Sequence, residues 1–258
     1  MDQLIDIKMG KIGITGVNFP AEDMRKMTKY SLADKMDENE TTTMEYHIIP
    51  IGIRDQQKVI AFLRRFFFRD EPLNHSIQLI PEGENSTCIP LEEYSTSSID
   101  ENLSLMAVSS TGTIVGVLLN GKTQAPEHGE PEYITNCESP KFKKTLKLLH
   151  YVDQQANLIN RYPNKNGIDV RIISVDNNWR GRGIAAALVE KTIVIARELK
   201  YDYIRADCTS HFTAKLCKRL GFDSIYELHY ADYVDENGKP VFLPSLPHTA
   251  ITTYVRKL

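Results

Sequence analysis

The chain has 258 residues, of which 41% are hydrophobic and 25% charged, a composition typical of globular proteins with a sizeable core. Its 31 basic and 34 acidic residues give a net charge of −3, which argues against nucleic-acid binding through bulk charge. No run approaches the roughly 18 apolar residues that span a bilayer, and the first residues show no basic segment followed by an apolar stretch. We therefore expect a cytoplasmic protein with neither nucleic-acid nor membrane partners, and a monomer by default.

The cysteines give no sign of a metal site or of a disulfide framework. They lack C-x-x-C spacing, and no paired histidines lie near them in the sequence. We expect reduced structural thiols and no bound metal ion. The four cysteines are Cys88, Cys137, Cys208 and Cys217.

The first part of the chain divides into an extension and the start of a domain. Residues 1–44 mix charged residues and threonines with scattered apolar residues, which predicts a loosely ordered N-terminal extension, or else a regulatory segment. A domain is expected over residues 45–258. Residues 46–53 predict its first strand, and residues 55–68 carry apolar residues at helical spacing ahead of Pro72, which ends the helix near position 69.

A hairpin and a long helix follow. The apolar runs 103–108 and 114–119 are joined by Ser-Ser-Thr-Gly-Thr, which predicts two antiparallel strands. Residues 139–161 predict a helix, with Ser139 as its N-cap and Pro140 in its first position. The residues expected on its apolar face are Phe142, Leu146, Leu149, Ala156 and Ile159.

A strand, a glycine-rich turn and a helix then follow one another without a gap. Residues 169–175 are β-branched and bounded by turn residues, which predicts a largely buried strand. Residues 184–199 repeat apolar residues at spacings of three, four and seven, which places those residues on one helix face. The residues predicted on that face are Ile184, Ala187, Leu188, Ile195 and Leu199.

The turn between these two elements has the properties of an anion site. Gly181 and Gly183 allow positive φ, so backbone N–H groups can converge on an anion at the first turn of the helix, where the dipole favours negative charge. Arg180 and Arg182 add positive charge. The Walker pattern is missing, and Ala186 replaces the third glycine of the dinucleotide fingerprint. The turn therefore predicts a site for a phosphate-containing ligand that neither of these two patterns describes. The alternative is a turn that binds no ligand.

The remaining segments predict a strand at 203–208, a helix at 212–220 ended by Gly221, and strands at 225–230 and 251–256. Strands and helices thus alternate around one predicted hairpin. This order indicates an α/β fold with a mixed central sheet flanked by helices.

The spacing Arg180-x-x-Gly183-x-Ala185 resembles the [QR]-x-x-G-x-[GA] acetyl-CoA signature of the GNAT superfamily of N-acetyltransferases. This resemblance implies the GNAT fold, in which the strand before the turn splays from its neighbour and pairs with the pantetheine arm of the cofactor. Turn amides would hold its pyrophosphate. The residues implied to bind acetyl-CoA are Ile173, Ser174 and Val175 of the strand and Arg180, Gly181, Arg182, Gly183, Ile184 and Ala185 after it.

Residues 66–74, Phe-Phe-Phe-Arg-Asp-Glu-Pro-Leu-Asn, resemble the F-x-x-x-E-P-L-N segment of insect arylalkylamine N-acetyltransferases. The resemblance implies that Glu71 is the general base and that Pro72 borders the amine. An amine is mostly ammonium at pH 7, so a carboxylate must accept its proton before it attacks a thioester. Burial beside the phenylalanines would raise the pKa of Glu71. The alternatives are a surface carboxylate at a helix end and the adjacent Asp70.

Two further segments resemble the same family. Residues 208–214 match C-S-S-x-[FY]-S-A with the functional serines replaced by Thr209 and Thr213, whose hydroxyls are implied to protonate the leaving thiolate or to position the amine. Helix capping by Thr209 or Ser210 is the alternative. Residues 242–249 contain Pro-His-Thr, similar to the segment that borders the family's amine pocket. His248 is therefore a candidate for substrate binding, unless it is structural.

The implied reaction is transfer of the acetyl group of acetyl-CoA to an arylalkylamine of the dopamine, serotonin, tyramine or tryptamine type, in a ternary complex and without a metal. Because Thr209 and Thr213 replace the family's serines, polyamines and agmatine remain alternative acetyl acceptors. An acetyl-CoA-binding regulator without activity and a protein acetyltransferase are further alternatives. An acetylated Cys208 is a weaker mechanism, because its segment offers no activating base.

Overall fold

The computed structural model describes residues 28–30, 45–83, 86–124 and 129–258. The predicted extension lies outside the described residues apart from three, so its boundary at residue 45 stays a prediction. Within the described residues, eight strands form one sheet in the order β1-β2-β3-β4-β5-β6-β8-β7. The strands are β1 (Thr28–Tyr30), β2 (Tyr46–Pro50), β3 (Leu105–Ser109), β4 (Ile114–Lys122), β5 (Gly167–Val175), β6 (Tyr203–Cys208), β7 (Asp223–His229) and β8 (Ala250–Lys257).

Helices cover both faces of this sheet. None in the described part of the chain is both long and apolar enough to cross a membrane. They are α1 (Gln56–Phe66), α2 (Pro72–Ser76), α3 (Ile89–Thr96), α4 (Glu132–Thr135), α5 (Pro140–Ala156), α6 (Leu158–Arg161), α7 (Ile184–Glu198) and α8 (His211–Arg219).

The sheet is mixed, as predicted, because β5 and β6 run parallel while every other neighbouring pair is antiparallel. One core cluster lies between the sheet and the α7 and α8 side, and a second lies between the sheet and α1, α3 and α5. The predicted order of elements is confirmed. The sequence missed the short helices α2, α3 and α4, which are too short for a clear apolar period.

The predicted apolar faces were partly wrong. Leu199 is 42% exposed and Ile195 only partly buried, because α7 ends at Glu198 and its buried face continues through Ile193 and Ala196. In the long helix, a residue with φ of 48° at position 157 ends α5, so the 44% exposed Ile159 belongs to a separate helix. Leu149 is half-buried. The spacing of apolar residues therefore predicted that α5 and α7 exist, but it did not predict which of their residues are buried.

The two parallel strands separate toward their carboxyl ends. Strand β5 pairs with β6 over Gly167–Val170, whereas its pairing with β4 continues to Val175. The pairing with β4 shifts where Ile172 and Val170 oppose consecutive β4 residues, which makes Arg171 the extra residue of a bulge. Bulges bend a strand and increase its twist. The bulge therefore coincides with the point at which β5 leaves β6, and the splayed strand expected from the resemblance is confirmed.

The start of α7 packs tightly on the middle of the sheet. A Cβ placed on Gly116 of β4 would lie 2.9 Å from Cγ2 of Ile184 and 3.4 Å from Cδ1 of Leu188. Glycine at this position therefore lets the first turn of α7 approach the sheet. The close contact fixes the glycine-rich turn at the mouth of the opening between β5 and β6.

We expect Gly167→Ala to lower the free energy of unfolding by about 1–3 kcal/mol, the usual cost of overpacking. The new Cβ would lie 2.3–2.8 Å from ring atoms of Tyr203, which is buried and stacked on Tyr162. Chemical denaturation measures the change. Gly52→Ala is the control, because its nearest neighbour would be Oδ2 of Asp55 at 3.9 Å. Equal stability of the two variants would contradict this contact.

Candidate active site

Four segments meet at the open end of the cleft between β5 and β6. The glycine-rich turn follows β5, and the N-terminus of α8 follows β6. The junction between α1 and α2 carries Glu71, which lies close enough to Thr209 for the threonine hydroxyl to affect the pKa of its carboxyl. Tyr230, which follows β7, reaches the backbone of Thr209. Segments that are far apart in the sequence therefore form one site.

The glycine-rich turn has the backbone conformation that an anion cradle requires. Gly181 and Gly183 have φ of +78° and +77°, in the left-handed region. A Cβ on either residue would meet no described atom within 4 Å, so the space above both is open to a ligand. Gly183 is also the N-cap of α7, whose first N–H groups lack acceptors within the helix. The turn therefore fits a pyrophosphate group.

The turn arginines fold back on their own segment. Nε of Arg180 donates a hydrogen bond to the carbonyl oxygen of Val175 at 3.2 Å, and the Arg182 guanidinium lies 5.8 Å from the ring centroid of Trp179. Both charges stay beside the first turn of α7. The contact of these two arginines with a phosphate remains a prediction.

The strand residues expected at the cofactor have different surroundings. Ile173 and Val175 are partly buried against the α7 side of the core, on the stretch of β5 beyond its pairing with β6. Ser174 is 6% exposed, and its hydroxyl donates to the carbonyl oxygen of Phe66 at 3.1 Å. Ile184 is a core residue through its side chain, and Ala185 is partly buried. A cofactor contact of these residues would therefore use the backbone.

Glu71 is buried at the start of α2, where it is the N-cap. The residue has extended φ and ψ of −62° and 128°, and its Oε2 accepts the N–H of Asn74 at 2.8 Å. Only 8% of Glu71 is exposed, and its Oε1 has no hydrogen-bond partner among the described residues. Asp70 is exposed. The surface-carboxylate alternative therefore does not hold for Glu71, and one oxygen remains available to accept a proton.

The pKa of Glu71 is raised above its ordinary value, as expected from the sequence. Burial is the main cause, because it disfavours the charged form. The hydrogen bond from the backbone N–H of Asn74 opposes this rise, as do the nearby hydroxyl of Thr209 and the backbone of Leu73. A carboxylate with a raised pKa is a stronger base than an exposed one, which suits it to accept a proton from an ammonium group.

The capping alternative for the α8 hydroxyls is resolved residue by residue. Ser210 is the N-cap, and its Oγ accepts the N–H of Phe212 at 3.2 Å. Thr209 precedes the cap, and its hydroxyl lies near Glu71. Thr213 is half-buried in the first turn of α8. Because Ser210 performs the capping, the hydroxyl of Thr209 is free for another role.

His248 is bound to the N-terminus of α8. The backbone N–H of His211 donates to Nδ1 of His248 at 3.2 Å, so that nitrogen must be unprotonated. Burial and the neighbouring His211 lower the pKa of His248, which favours the neutral ring. Its ring also lies 5.6 Å from that of Phe212. Pro72, the other predicted substrate-binding residue, is buried in the first position of α2.

Cys208 lacks the properties of a nucleophile. It is 1% exposed, and its sulfur lies 3.6 Å from that of Cys217. The contact with Cys217 and burial raise the pKa of the Cys208 thiol well above its ordinary value. Since the thiolate is the reactive form, this thiol is inert at neutral pH.

Asn74 and Tyr230 belong to the site but were not among the predicted site residues. The signal for Asn74 was available, because a residue three positions after an N-cap supplies the N–H that the cap accepts. The signal for Tyr230 was weak, since an aromatic residue near a strand end can line an aromatic pocket but more often belongs to the core. Its partner, the carbonyl oxygen of Thr209, lies 2.7 Å from the phenol oxygen.

Comparison with known proteins agrees with this geometry. The Acetyltransferase (GNAT) family model matches residues 75–222, more than half of the chain. Arylalkylamine N-acetyltransferase 2 from Aedes aegypti is 32% identical, with a TM-score of 0.77 over 82% of this chain and 98% of that chain. The mosquito arylalkylamine N-acetyltransferase like 5b is 27% identical, with a TM-score of 0.73 over 83% and 100%.

A third solved structure, of an agmatine N-acetyltransferase, is 26% identical to this chain. Its TM-score is 0.72, over 83% of this chain and 99% of the other. All three proteins are thus similar to this one over nearly their whole lengths. The mixed sheet, the splayed strand and the glycine-rich turn agree with the family match. The chain therefore belongs to the GNAT acetyltransferase family.

Proposed function

We propose that this protein transfers the acetyl group of acetyl-CoA to the primary amine of an arylalkylamine, with Glu71 as the general base in a ternary complex. GNAT enzymes bind acetyl-CoA and amine substrates, and the family match covers residues 75–222. The observation that carries the specific proposal is the buried Glu71 carboxyl beside Thr209, with Oε1 unpartnered among the described residues.

Acetyl-CoA, the acetyl-donor substrate, supplies an activated thioester. The turn from Arg180 to Ala185 would bind its pyrophosphate, since the glycine conformations and the open space above them suit a phosphate. The stretch of β5 beyond its pairing with β6 would hydrogen-bond the pantetheine arm through the backbone of Ile173 and Val175. These contacts would bring the thioester into the cleft, near the N-terminus of α8.

The chain's own groups would manage the protons. Oε1 of Glu71 accepts a proton from the ammonium group, directly or through a water, and the free amine then attacks the thioester carbonyl. The new bond is C–N, and the bond that breaks is C–S. Backbone donors of the splayed strand would stabilise the oxyanion. A hydroxyl, from Thr209 or Thr213, or a water would protonate the departing thiolate and take up the second proton, which the nitrogen loses as the amide forms.

The similarity to Aedes aegypti arylalkylamine N-acetyltransferase 2, at 32% identity, favours an aromatic amine. Aromatic side chains at the N-terminus of α8 would suit such a substrate. Phe212 is 65% exposed, and its ring lies 5.6 Å from that of His248. The second candidate is agmatine or a polyamine, because the agmatine N-acetyltransferase has a TM-score of 0.72. Pro72 and His248 would border either amine.

An amine panel tests the proposal. CoA release is measured with dopamine, serotonin, tyramine, tryptamine, agmatine and spermidine at fixed acetyl-CoA. We expect the highest kcat/KM with an aromatic amine. A preference for agmatine or spermidine would replace the aromatic substrate class, whereas acetyl-CoA binding without turnover of any amine would favour a non-catalytic regulator.

We expect Cys208→Ala to keep amine turnover within about threefold of wild type, because a buried thiol with a raised pKa carries no acetyl group. Steady-state kinetics and mass spectrometry of the intact protein with acetyl-CoA measure turnover and any acetylated thiol. Cys217→Ala, which removes the other member of the pair, is the control. An acetyl adduct that is lost only in Cys208→Ala, together with turnover, would establish the covalent route instead.

A further inference from the structure

Tyr230 connects the end of β6 to the rest of the site. It is 2% exposed and begins the short 3-10 turn Tyr230–Asp232 that follows β7. Its phenol donates a hydrogen bond to the carbonyl oxygen of Thr209 at 2.7 Å. Its backbone N–H donates to the carbonyl oxygen of Thr249, next to His248, at 3.0 Å. One residue thus joins the β7 end, the β6 end and the loop of His248.

The carbonyl of Thr209 has lost its neighbours in the sheet. Pairing of β6 with β8 ends at Cys208, opposite Thr252, and pairing with β5 ends at Ala206. Thr209 is half-buried, and a carbonyl withdrawn from water without a hydrogen-bond partner is destabilising. The phenol of Tyr230 therefore supplies the hydrogen bond that the sheet no longer provides, at the residue whose hydroxyl faces Glu71.

The ring of Tyr230 is held by residues from both sides of the amine site. Its cluster includes Leu73, which belongs to the helix that Glu71 caps, and Phe242, which begins the segment of His248. These neighbours are fully buried. The tyrosine therefore has a fixed position relative to Glu71, and its hydrogen bond transmits that position to Thr209.

We propose that Tyr230 is a positioning residue for acetyl transfer, which holds the Thr209 hydroxyl against the Glu71 carboxyl by fixing the Thr209 carbonyl. This inference rests on the proposed function of Glu71. It assigns Tyr230 no contact with the reacting atoms.

The surroundings of Tyr230 keep its phenol protonated, so that it can always donate a hydrogen bond. Burial raises the pKa of its phenol, and the negative charge of Glu71 raises it further. The ionised Glu71 that acts as a base thus also keeps the neighbouring phenol protonated. The hydrogen bond to Thr209 is therefore present whenever Glu71 is ready to accept a proton.

Kinetics of Tyr230→Phe test the proposal, with Tyr203→Phe as the matched control. Tyr203 is 5% exposed, lies at the opposite end of β6, and donates its own phenol hydrogen bond to Oγ1 of Thr123 at 3.2 Å. We expect Tyr230→Phe to lower kcat with the amine about tenfold, with KM for acetyl-CoA within twofold of wild type. Tyr203→Phe should leave both values within twofold.

A double-mutant cycle with Thr209→Val separates positioning from packing. If Tyr230 acts through Thr209, then Thr209→Val in the Tyr230→Phe background lowers kcat by no more than about twofold further. Independent, multiplying losses would overturn the proposal. So would an unchanged kcat in Tyr230→Phe, or an equal loss in Tyr203→Phe.

NMR gives a measurement that does not depend on the amine. Because the Thr209 hydroxyl lowers the pKa of Glu71, its displacement in Tyr230→Phe should raise the midpoint of the Glu71 carboxyl ¹³C titration and shift the Thr209 carbonyl resonance. Neither change is expected in Tyr203→Phe.

An unmoved Glu71 titration in Tyr230→Phe would overturn the positioning role even if wild type acetylates amines. Conversely, a shifted titration in a protein that turns over no amine would leave the positioning of Thr209 intact and remove the proposed function. If Tyr230→Phe does not fold, the exchange rate of the Tyr230 phenol proton with water is measured in wild type instead. Slow exchange supports the hydrogen bond to Thr209. Exchange as fast as that of half-buried Tyr233 overturns the proposal.

Discussion

Glu71→Gln is expected to lower kcat for the amine by about 10²- to 10⁴-fold, the usual contribution of a general base. Glutamine keeps the size of the side chain and can still accept the N–H of Asn74 through its carbonyl oxygen, but it cannot take a proton from ammonium. Acetyl-CoA affinity should stay within about threefold. Steady-state kinetics and calorimetric titration measure the two effects.

Asp70→Asn is the matched control for Glu71→Gln, because it removes the adjacent carboxyl, which is exposed. Its turnover should stay within about twofold of wild type. Unchanged turnover in Glu71→Gln would exclude Glu71 as the base, and a large loss confined to Asp70→Asn would assign that role to Asp70.

The pH dependence of the reaction should report the same carboxyl. The proposed base works as a carboxylate, so activity should be lost as pH falls through the pKa of Glu71. Because burial raises that pKa, the acidic limb of the kcat/KM profile should lie at higher pH than an exposed glutamate would give. The residual activity of Glu71→Gln should lack this limb. A limb that persists unchanged in the variant would assign it to another group.

Gly183→Asp is expected to weaken acetyl-CoA binding at least about 100-fold. Aspartate is a favourable N-cap and tolerates left-handed backbone, so α7 should still form despite a φ of +77° at this position. Its carboxylate would occupy the space in which we propose that the turn binds a pyrophosphate, and would repel that group. Isothermal titration with acetyl-CoA or CoA measures the change.

Two further variants separate charge from strain. Gly183→Ala introduces the Cβ without the charge and should weaken binding much less than Gly183→Asp. Gly129→Asp introduces the same side chain at a positive-φ glycine, with φ of +94° and no described atom within 4 Å, between β4 and α4. It should bind acetyl-CoA like wild type. Unaltered affinity in Gly183→Asp would refute the placement of the pyrophosphate site.

Local sequence signals predicted those parts of the fold that depend on neighbouring residues. The cap of α5 is an example, since the Oγ of Ser139 accepts the N–H of Phe142 at 3.2 Å and Pro140 follows it. The glycines of the turn are another, because they adopt left-handed conformations that glycine reaches more readily than other residues. Such features involve a few consecutive residues, so their chemistry can be read directly from the order of the chain.

The buried face of each helix could not be read in the same way. Ile195 and Leu199 continue the spacing of Ile184 and Leu188, yet only the latter two are fully buried. Burial depends on where the helix ends and which strands lie beneath it, and neither is encoded by spacing alone. The sequence therefore predicted that α7 is amphipathic, and the packing on the sheet decided which residues face the core.

The order of elements, the glycine-rich turn and the residue types available for acetyl transfer follow from the amino-acid sequence. The burial of Glu71, the capping of α8 by Ser210 rather than Thr209, and the hydrogen bond from Tyr230 to the carbonyl of Thr209 became apparent in the folded protein. The physical reason is that conformational preferences and caps act over a few residues. Desolvation and hydrogen bonds in the site instead join segments that meet only when the sheet has formed and β5 has left β6.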